Sequence, residues 1–193
     1  RAELIDALEH DTLLAATEGL AIDDLADLIE DLPEQVTREM LRAMDIENRE
    51  RLKVVLSYDP ASAGGLMNND TVTVRPDVSL DVVSRYLKQR ASLPEDTEAL
   101  FVISRYGRYL GMLPLSKLVT LDPERDVSEI MDTDIDALAV DMPAAQVAKR
   151  FQDLDLISAP VVNAEGILLG RITIDDVVDV IREDADHSLM SMA

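Results

Sequence analysis

The sequence predicts a multidomain α+β chain in which an all-α helical domain is followed by a pair of similar α/β domains. Three observations carry this. Apolar residues recur with helical spacing as far as Leu56, the period shortens to that of strands beyond residue 65, and the strand-containing part is an internal duplication.

The helical part spans residues 1–62. Its apolar positions are Ile22, Leu25, Leu28, Ile29 and Leu32, then Val36, Met40 and Leu41, then Leu52, Val55 and Leu56. Breaks are expected at Gly19 to Ile22, at Leu32-Pro33, where proline can begin the next helix, and around Asp45 to Glu47. Short amphipathic helices in a small superhelical array fit this pattern.

The stretch Tyr58-Asp59-Pro60-Ala61-Ser62-Ala63-Gly64-Gly65 ends that pattern, and Thr71 to Val74 and Leu100 to Ile103 then read as strands. Leu66-Met67 aligns with Ile130-Met131, Val83 with Val147, and Leu87 with Phe151, all at an offset of 64. Val102-Ile103 aligns with Val161-Val162, and Leu110-Gly111 with Leu169-Gly170, at an offset of 59. Each copy reads strand, helix, strand, strand, helix, and the copies occupy residues 63–126 and 127–185. The change of offset places an extra five residues of the first copy within Lys88 to Ala99, as an insertion in a loop. Residues 186–193 are the start of a connecting segment or a tail.

Charge narrows the partners. The net charge is −21, split as 16 acids and 6 bases over residues 1–62, 9 and 8 over 63–126, and 14 and 4 over 127–193. Two acidic blocks flank a nearly neutral one. Such a field repels nucleic acid and anionic lipid, which demand basic patches, and it concentrates cations. A uniformly solubilising surface would not spare the middle block. Apolar runs such as Ala99 to Ile103 are far shorter than the roughly 20 residues of a membrane span. The chain begins Arg1-Ala2-Glu3 with neither an initiator Met nor a basic-then-apolar leader, and reads as a segment of a longer protein without a signal peptide. Without cysteine, a metal must be held by oxygen or by His10 and His187, neither of which has a partner at metal-ligand spacing. No Gly-rich phosphate loop, Ser/His/Asp set or HExxH pattern is present, so catalysis is not expected.

Leu169-Gly170-Arg171-Ile172-Thr173-Ile174-Asp175-Asp176-Val177 resembles the corresponding stretch of tandem CBS domains, and Tyr58 to Met67 resembles the junction between the acidic helical domain and the first CBS copy in the MgtE family of magnesium channels. The likeness includes Asp23-Asp24-Leu25-Ala26-Asp27 and the acidic helix from Asp175 to Asp186. Gly64-Gly65-Leu66-Met67 and the helical domain argue against a CBS pair from another kind of transporter. The resemblance implies a Mg²⁺-sensing region on the cytoplasmic face of the cell membrane, attached to a transmembrane pore and dimeric through its CBS domains. It implies that Mg²⁺ binds between the helical domain and the CBS pair and closes the pore. The matching metal positions are Asp23, Asp27, the backbone of Gly65, Asp155, Asp176 and Asp179, with Asp184 further along the last helix.

Mg²⁺ prefers six oxygens, keeps several waters and takes only one or two carboxylates, so sparse aspartates suffice. Asp23 and Asp27, four apart, share one helix face, and so do Asp176 and Asp179, three apart. Apposing two such faces without a cation accumulates repulsion of about 1 kcal/mol per pair at 4 Å in bulk water, which favours separation. The same acids also fit ordinary first-turn positions, where they complement the helix dipole, and Gly64-Gly65 also fits a plain backbone turn. The alternative function is adenosine-nucleotide binding between the CBS copies. The family's ribose pattern is kept at Thr173-x-x-Asp176 but replaced in the first copy by Pro114-Leu115-Ser116-Lys117, so ATP binding, with Thr173 as its contact, is expected to be weak.

Overall fold

The computed structural model describes residue 15, which is helical, and residues 19–191, where three short helices come first: α1 (Ile22–Glu30), α2 (Glu34–Ala43) and α3 (Ile46–Val55). The breaks lie where the sequence puts them. Pro33 stands at the N-cap of α2, and Asp45 caps α3 by accepting the Asn48 N–H at 2.9 Å, a contact worth about 1 kcal/mol. Ile22, Leu25 and Ala26 bury one face of α1, in part against Leu52 and Val55 of α3.

The first α/β unit contains α4 (Ala63–Leu66), β1 (Thr73–Val74), α5 (Leu80–Gln89), β2 (Ala99–Ile103), β3 (Tyr109–Pro114) and α6 (Leu115–Thr120). The second repeats it as α7 (Val127–Ile130), β4 (Leu138–Ala139), α8 (Ala144–Leu154), β5 (Ser158–Val162), β6 (Leu168–Thr173) and α9 (Ile174–Ser191). Each forms a three-stranded sheet, β1-β2-β3 or β4-β5-β6, with the first pair parallel and the second antiparallel. Irregularities fall at Val102/Ile103 and Val161/Val162, positions that the duplication equates.

The one-turn helices α4 and α7 are not foreseen by periodicity. Ala63-Gly64-Gly65-Leu66 is a poor helix former, and what holds it is tertiary. The Ala63 and Gly64 N–H groups donate to the carbonyls of Met142 and Val140, each at 2.8 Å, so the junction is pinned to the second repeat.

The repeats are cross-paired. Asn68 exchanges backbone hydrogen bonds with Arg171 at 2.8 Å in both directions, and Asp132 does the same with Met112 at 2.7 and 2.8 Å. This explains the glycines of the Leu-x-Gly motif. A Cβ on Gly111 would lie 2.6 Å from the Asp132 carbonyl oxygen, and one on Gly170 would lie 2.7 Å from that of Asn68. The extra residues of the first copy form the loop between α5 and β2, which reaches the second repeat. There Arg171 donates to the Glu95 carbonyl and, at 3.1 Å, to the Asp96 carbonyl, while Ser158 hydrogen-bonds Glu98.

Two main apolar clusters result. One, with Val72, Leu80, Leu100, Val102 and Leu113, fills the first repeat and is joined by Val127 and Ile130 from α7 of the second. The other joins Ile22, Leu25, Leu52 and Val55 of the helical domain to Leu138, Val147, Phe151, Val161, Ile172 and Val177 of the second repeat. Burial of this shared apolar surface, at roughly 25 cal/mol per Å², opposes the charge repulsion expected between these two parts.

Candidate metal-binding cleft

Two acidic stripes meet across the boundary between helical domain and second repeat. On α1 and its C-cap, Asp24, Asp27 and Asp31 are spaced i, i+3, i+7, opposite the face that buries Leu25 and Ala26. On α9, Asp176, Asp179 and Glu183 have the same spacing, while Val177 packs inward. Both stripes and Asp23 line one cleft of about 610 Å³, with Pro60, Ala61, Gly65 and Leu66 of the junction and Pro143 to Ala145 at the start of α8 completing it.

At its inner end Asp23 and Asp176 face each other in hydrogen-bonding apposition. Burial, then the charge of Asp23, then that of Asp175 push the Asp176 carboxyl up to about 8. Asp23 is also raised, by burial first and by Asp24, with its hydrogen bond to Asp176 acting the other way. Burial and the mutual repulsion of the two carboxyls thus both favour the protonated form of the pair. Asp24 is raised by burial and by the charges of Asp175, Asp179 and Glu95. Asp176 has a second task, because its Oδ2 accepts the Thr173 N–H at 3.2 Å and lies 3.0 Å from the Thr173 hydroxyl, which ties down the first turn of α9.

The donors suit Mg²⁺. They are hard carboxylate oxygens, and Asp23 Oδ1 is buried with no hydrogen-bond partner among the described residues, an acceptor that a cation or its water would satisfy. Among the described residues, no three acidic or histidine side chains stand close enough to enclose a metal by themselves. That spacing fits an ion that retains much of its water shell, as Mg²⁺ does. Asp179 also has Arg182 at 3.5 Å, an exposed pair of small energetic weight that a cation would compete with.

The sequence matches the MgtE intracellular N domain over residues 1–61 and the CBS domain over residues 63–124 and 127–183. The fold is similar to the crystal structure of the cytosolic domain of the Mg²⁺ channel MgtE in complex with ATP, at 32% identity and a TM-score of 0.80, covering 87% of this chain and 69% of that one. The chain belongs to the MgtE family. Among curated relatives, the magnesium transporter MgtE of Thermus thermophilus is 31% identical over 172 residues, and that of Bacillus subtilis 28% over 171. The matches take in 88% and 89% of this chain but 38% of each relative's length. The fold is also similar to that of the crystal structure of the soluble part of a magnesium transporter, with a TM-score of 0.81 at 24% identity and coverage of 86% of this chain and 65% of that one.

Of the metal positions that the MgtE resemblance implies, Asp23, Asp27, Gly65, Asp176 and Asp179 line this one cleft. Asp155 does not line it and instead ends α8 in the left-handed conformation, φ 51°. Asp184 lies on α9, with its side chain outside the described residues, as is that of His187; His10 also falls outside them. Asp24, Asp31 and Glu183 are additions, and their signal was the i, i+3, i+7 spacing. Gly65 is not in a left-handed turn; its α carbon is crowded by backbone, as a Cβ there would lie 2.4 Å from the Asp59 carbonyl oxygen. Thr173 opens on a second cleft, and Lys117 is occupied, donating to the Ile130 carbonyl at 2.7 Å and to Asp132 at 2.5 Å.

Proposed function

We propose that this chain is the Mg²⁺-sensing regulatory region of a magnesium channel or transporter, on the cytoplasmic face of the cell membrane, and that it performs no catalysis. The observation that carries the reading is the convergence of the α1 and α9 acidic stripes, with equal spacing, on one cleft between two domains. When bound, Mg²⁺ supplies the positive charge that lets these stripes remain apposed. Asp23 and Asp176 release the pair's proton to receive it, Asp27 and Asp179 complete the carboxylate walls, and the Gly65 backbone forms part of the floor. In the full-length protein, α9 passes the docked state to the transmembrane pore and favours closure, and a homodimer through the CBS domains lets two such arms act together. Asp155 and Asp184 remain members of the proposed set, to be tested individually. Sites with millimolar dissociation constants suit an abundant ion. At ten times that concentration each stabilises the docked state by roughly 1.4 kcal/mol, and about four of them shift a 1:99 equilibrium to 99:1.

Mg²⁺ titration followed by small-angle scattering tests this. The D176N/D179N variant should require at least several-fold more Mg²⁺ to compact and, with less repulsion across the cleft, should be more compact than the parent without metal. D134N/D136N removes at least as much charge from two exposed residues that line neither cleft, and its midpoint should match the parent's. Equal midpoints for the two double variants would mean diffuse screening rather than ligation.

A second reading, an adenosine nucleotide at Thr173, draws support from the similarity to the ATP complex. Against it stand the many carboxylates around Thr173 and the engagement of Lys117 with Asp132. Calorimetry with ATP should give weak or undetectable binding, and micromolar affinity would promote this reading over the first.

A further inference from the structure

The helical domain meets the first repeat through a contact opposite in kind to the acidic cleft. On α3, Arg51 pairs through Nη1 with Asp70 of the first repeat at 2.9 Å, and through Nη2 with Glu47 at 2.6 Å. Glu47 lies one turn earlier on the same helix face, so the guanidinium is already oriented where it meets Asp70. The Arg51 carbonyl accepts the Asn69 side-chain N–H at 2.9 Å. Asp70 is equally fixed. Its N–H donates to Asn68 Oδ1 at 2.9 Å, and Asn68 is cross-paired with the backbone of Arg171. Arg171 is 5% exposed and directs its guanidinium to the Glu95 and Asp96 carbonyls. Arg51 therefore ties α3 to a node where the helical domain and both repeats come together. The Arg51 and Asp70 side chains are 31% and 34% exposed, so their pair is more shielded than an open surface ion pair.

This clasp needs no metal. Its attraction and the acid-to-acid repulsion across the first cleft act on the same motion, because both exist only while the helical domain lies against the repeats. We propose that Arg51 is a positioning residue: its pairing with Asp70 holds the helical domain docked without Mg²⁺, and so sets how much Mg²⁺ the sensor needs. This role rests on the Mg²⁺-sensing reading, but neither Arg51 nor Asp70 lines the first cleft, so the clasp acts on docking and not on the ion itself.

The chain has no cysteine, so spin labels on Q35C of α2 and Q152C of α8, two exposed and uncharged positions, give the docked-to-undocked ratio as a distance distribution. At the Mg²⁺ concentration that half-docks the parent, R51M and D70A should each lower that ratio about two- to fivefold. The double variant should lower it no further than either single one, and R51K by less than about twofold. Diffuse electrostatics predicts opposite signs instead, since R51M removes a positive charge and would strengthen Mg²⁺ binding, whereas D70A removes a negative one. Opposite signs, additive effects in the double variant, or a melting temperature that falls in R51M while the ratio stays at the parent's would each overturn the proposal. The ratios are also measured without metal, where both single variants should again lie below the parent. If Mg²⁺ leaves the parent's ratio unchanged, the sensing reading falls; a lower metal-free ratio in R51M then still shows that the clasp holds the domain, and an equal one overturns it.

Discussion

Raising the pH from about 6 to about 8 should tighten Mg²⁺ binding by up to tenfold per pH unit, because the Asp23–Asp176 pair must release a proton to receive the cation. The sign follows from the direction of the shift. Asp176 is raised from its ordinary value of 3.8 to about 8, so the folded chain holds a proton that the unfolded chain has lost. The stability contributed by that proton is fully present below about pH 4 and is lost as the pH rises through 8. Without Mg²⁺, the chain should therefore melt at lower temperature at pH 8.5 than at pH 6, and saturating Mg²⁺ should narrow the gap. The D176N variant removes the titrating group. Its Mg²⁺ midpoint should be nearly independent of pH over this range, and a pH slope equal to the parent's would place the linked proton elsewhere.

Replacing Gly65 by alanine should lower the melting temperature by several degrees. The added Cβ would lie 2.4 Å from the Asp59 carbonyl oxygen and 2.6 Å from the Pro60 α carbon, so backbone rather than a flexible side chain must move. Overpacking of this kind costs about 1–3 kcal/mol, at roughly 2–4 °C per kcal/mol for a chain of this size. The displaced Pro60 and Ala61 also line the first cleft, so the Mg²⁺ midpoint should rise as well. An alanine variant that melts and titrates like the parent would show that the junction has slack where none is seen.

Most of the architecture was legible because its signals are local. Pro33 and Asp45 mark helix starts by their own chemistry, and the offsets of 64 and 59 reveal the repeat and its longer loop. The short helices at Ala63 and Val127 were not legible, since the former is held by the distant carbonyls of Val140 and Met142. The pairing of Asp23 with Asp176 is likewise invisible to spacing, and so is the need for Gly65, which arises from chain crossing close by rather than from a left-handed turn. Counting charges alone also gave too one-sided an account of the boundary between the domains. The apolar cluster that Ile22 and Leu25 share with Phe151 and Val177 draws together the elements whose carboxylates repel. Asp24, Asp31 and Glu183, by contrast, were readable in principle from the same stripe that pointed to Asp27 and Asp179.

The helix α9 carries cleft carboxylates in its first turns and continues for 18 residues in all, a rod of about 27 Å. Its first turns are anchored by Val177 and by the hydrogen bonds of Thr173 with Asp176, so they act as a fulcrum. A tilt of about 10° there would sweep the far end by roughly 5 Å, close to one helical pitch. Mechanical gain of this kind would convert an ångström-scale adjustment between two carboxylate rows into a displacement of several ångströms at the far end of the helix.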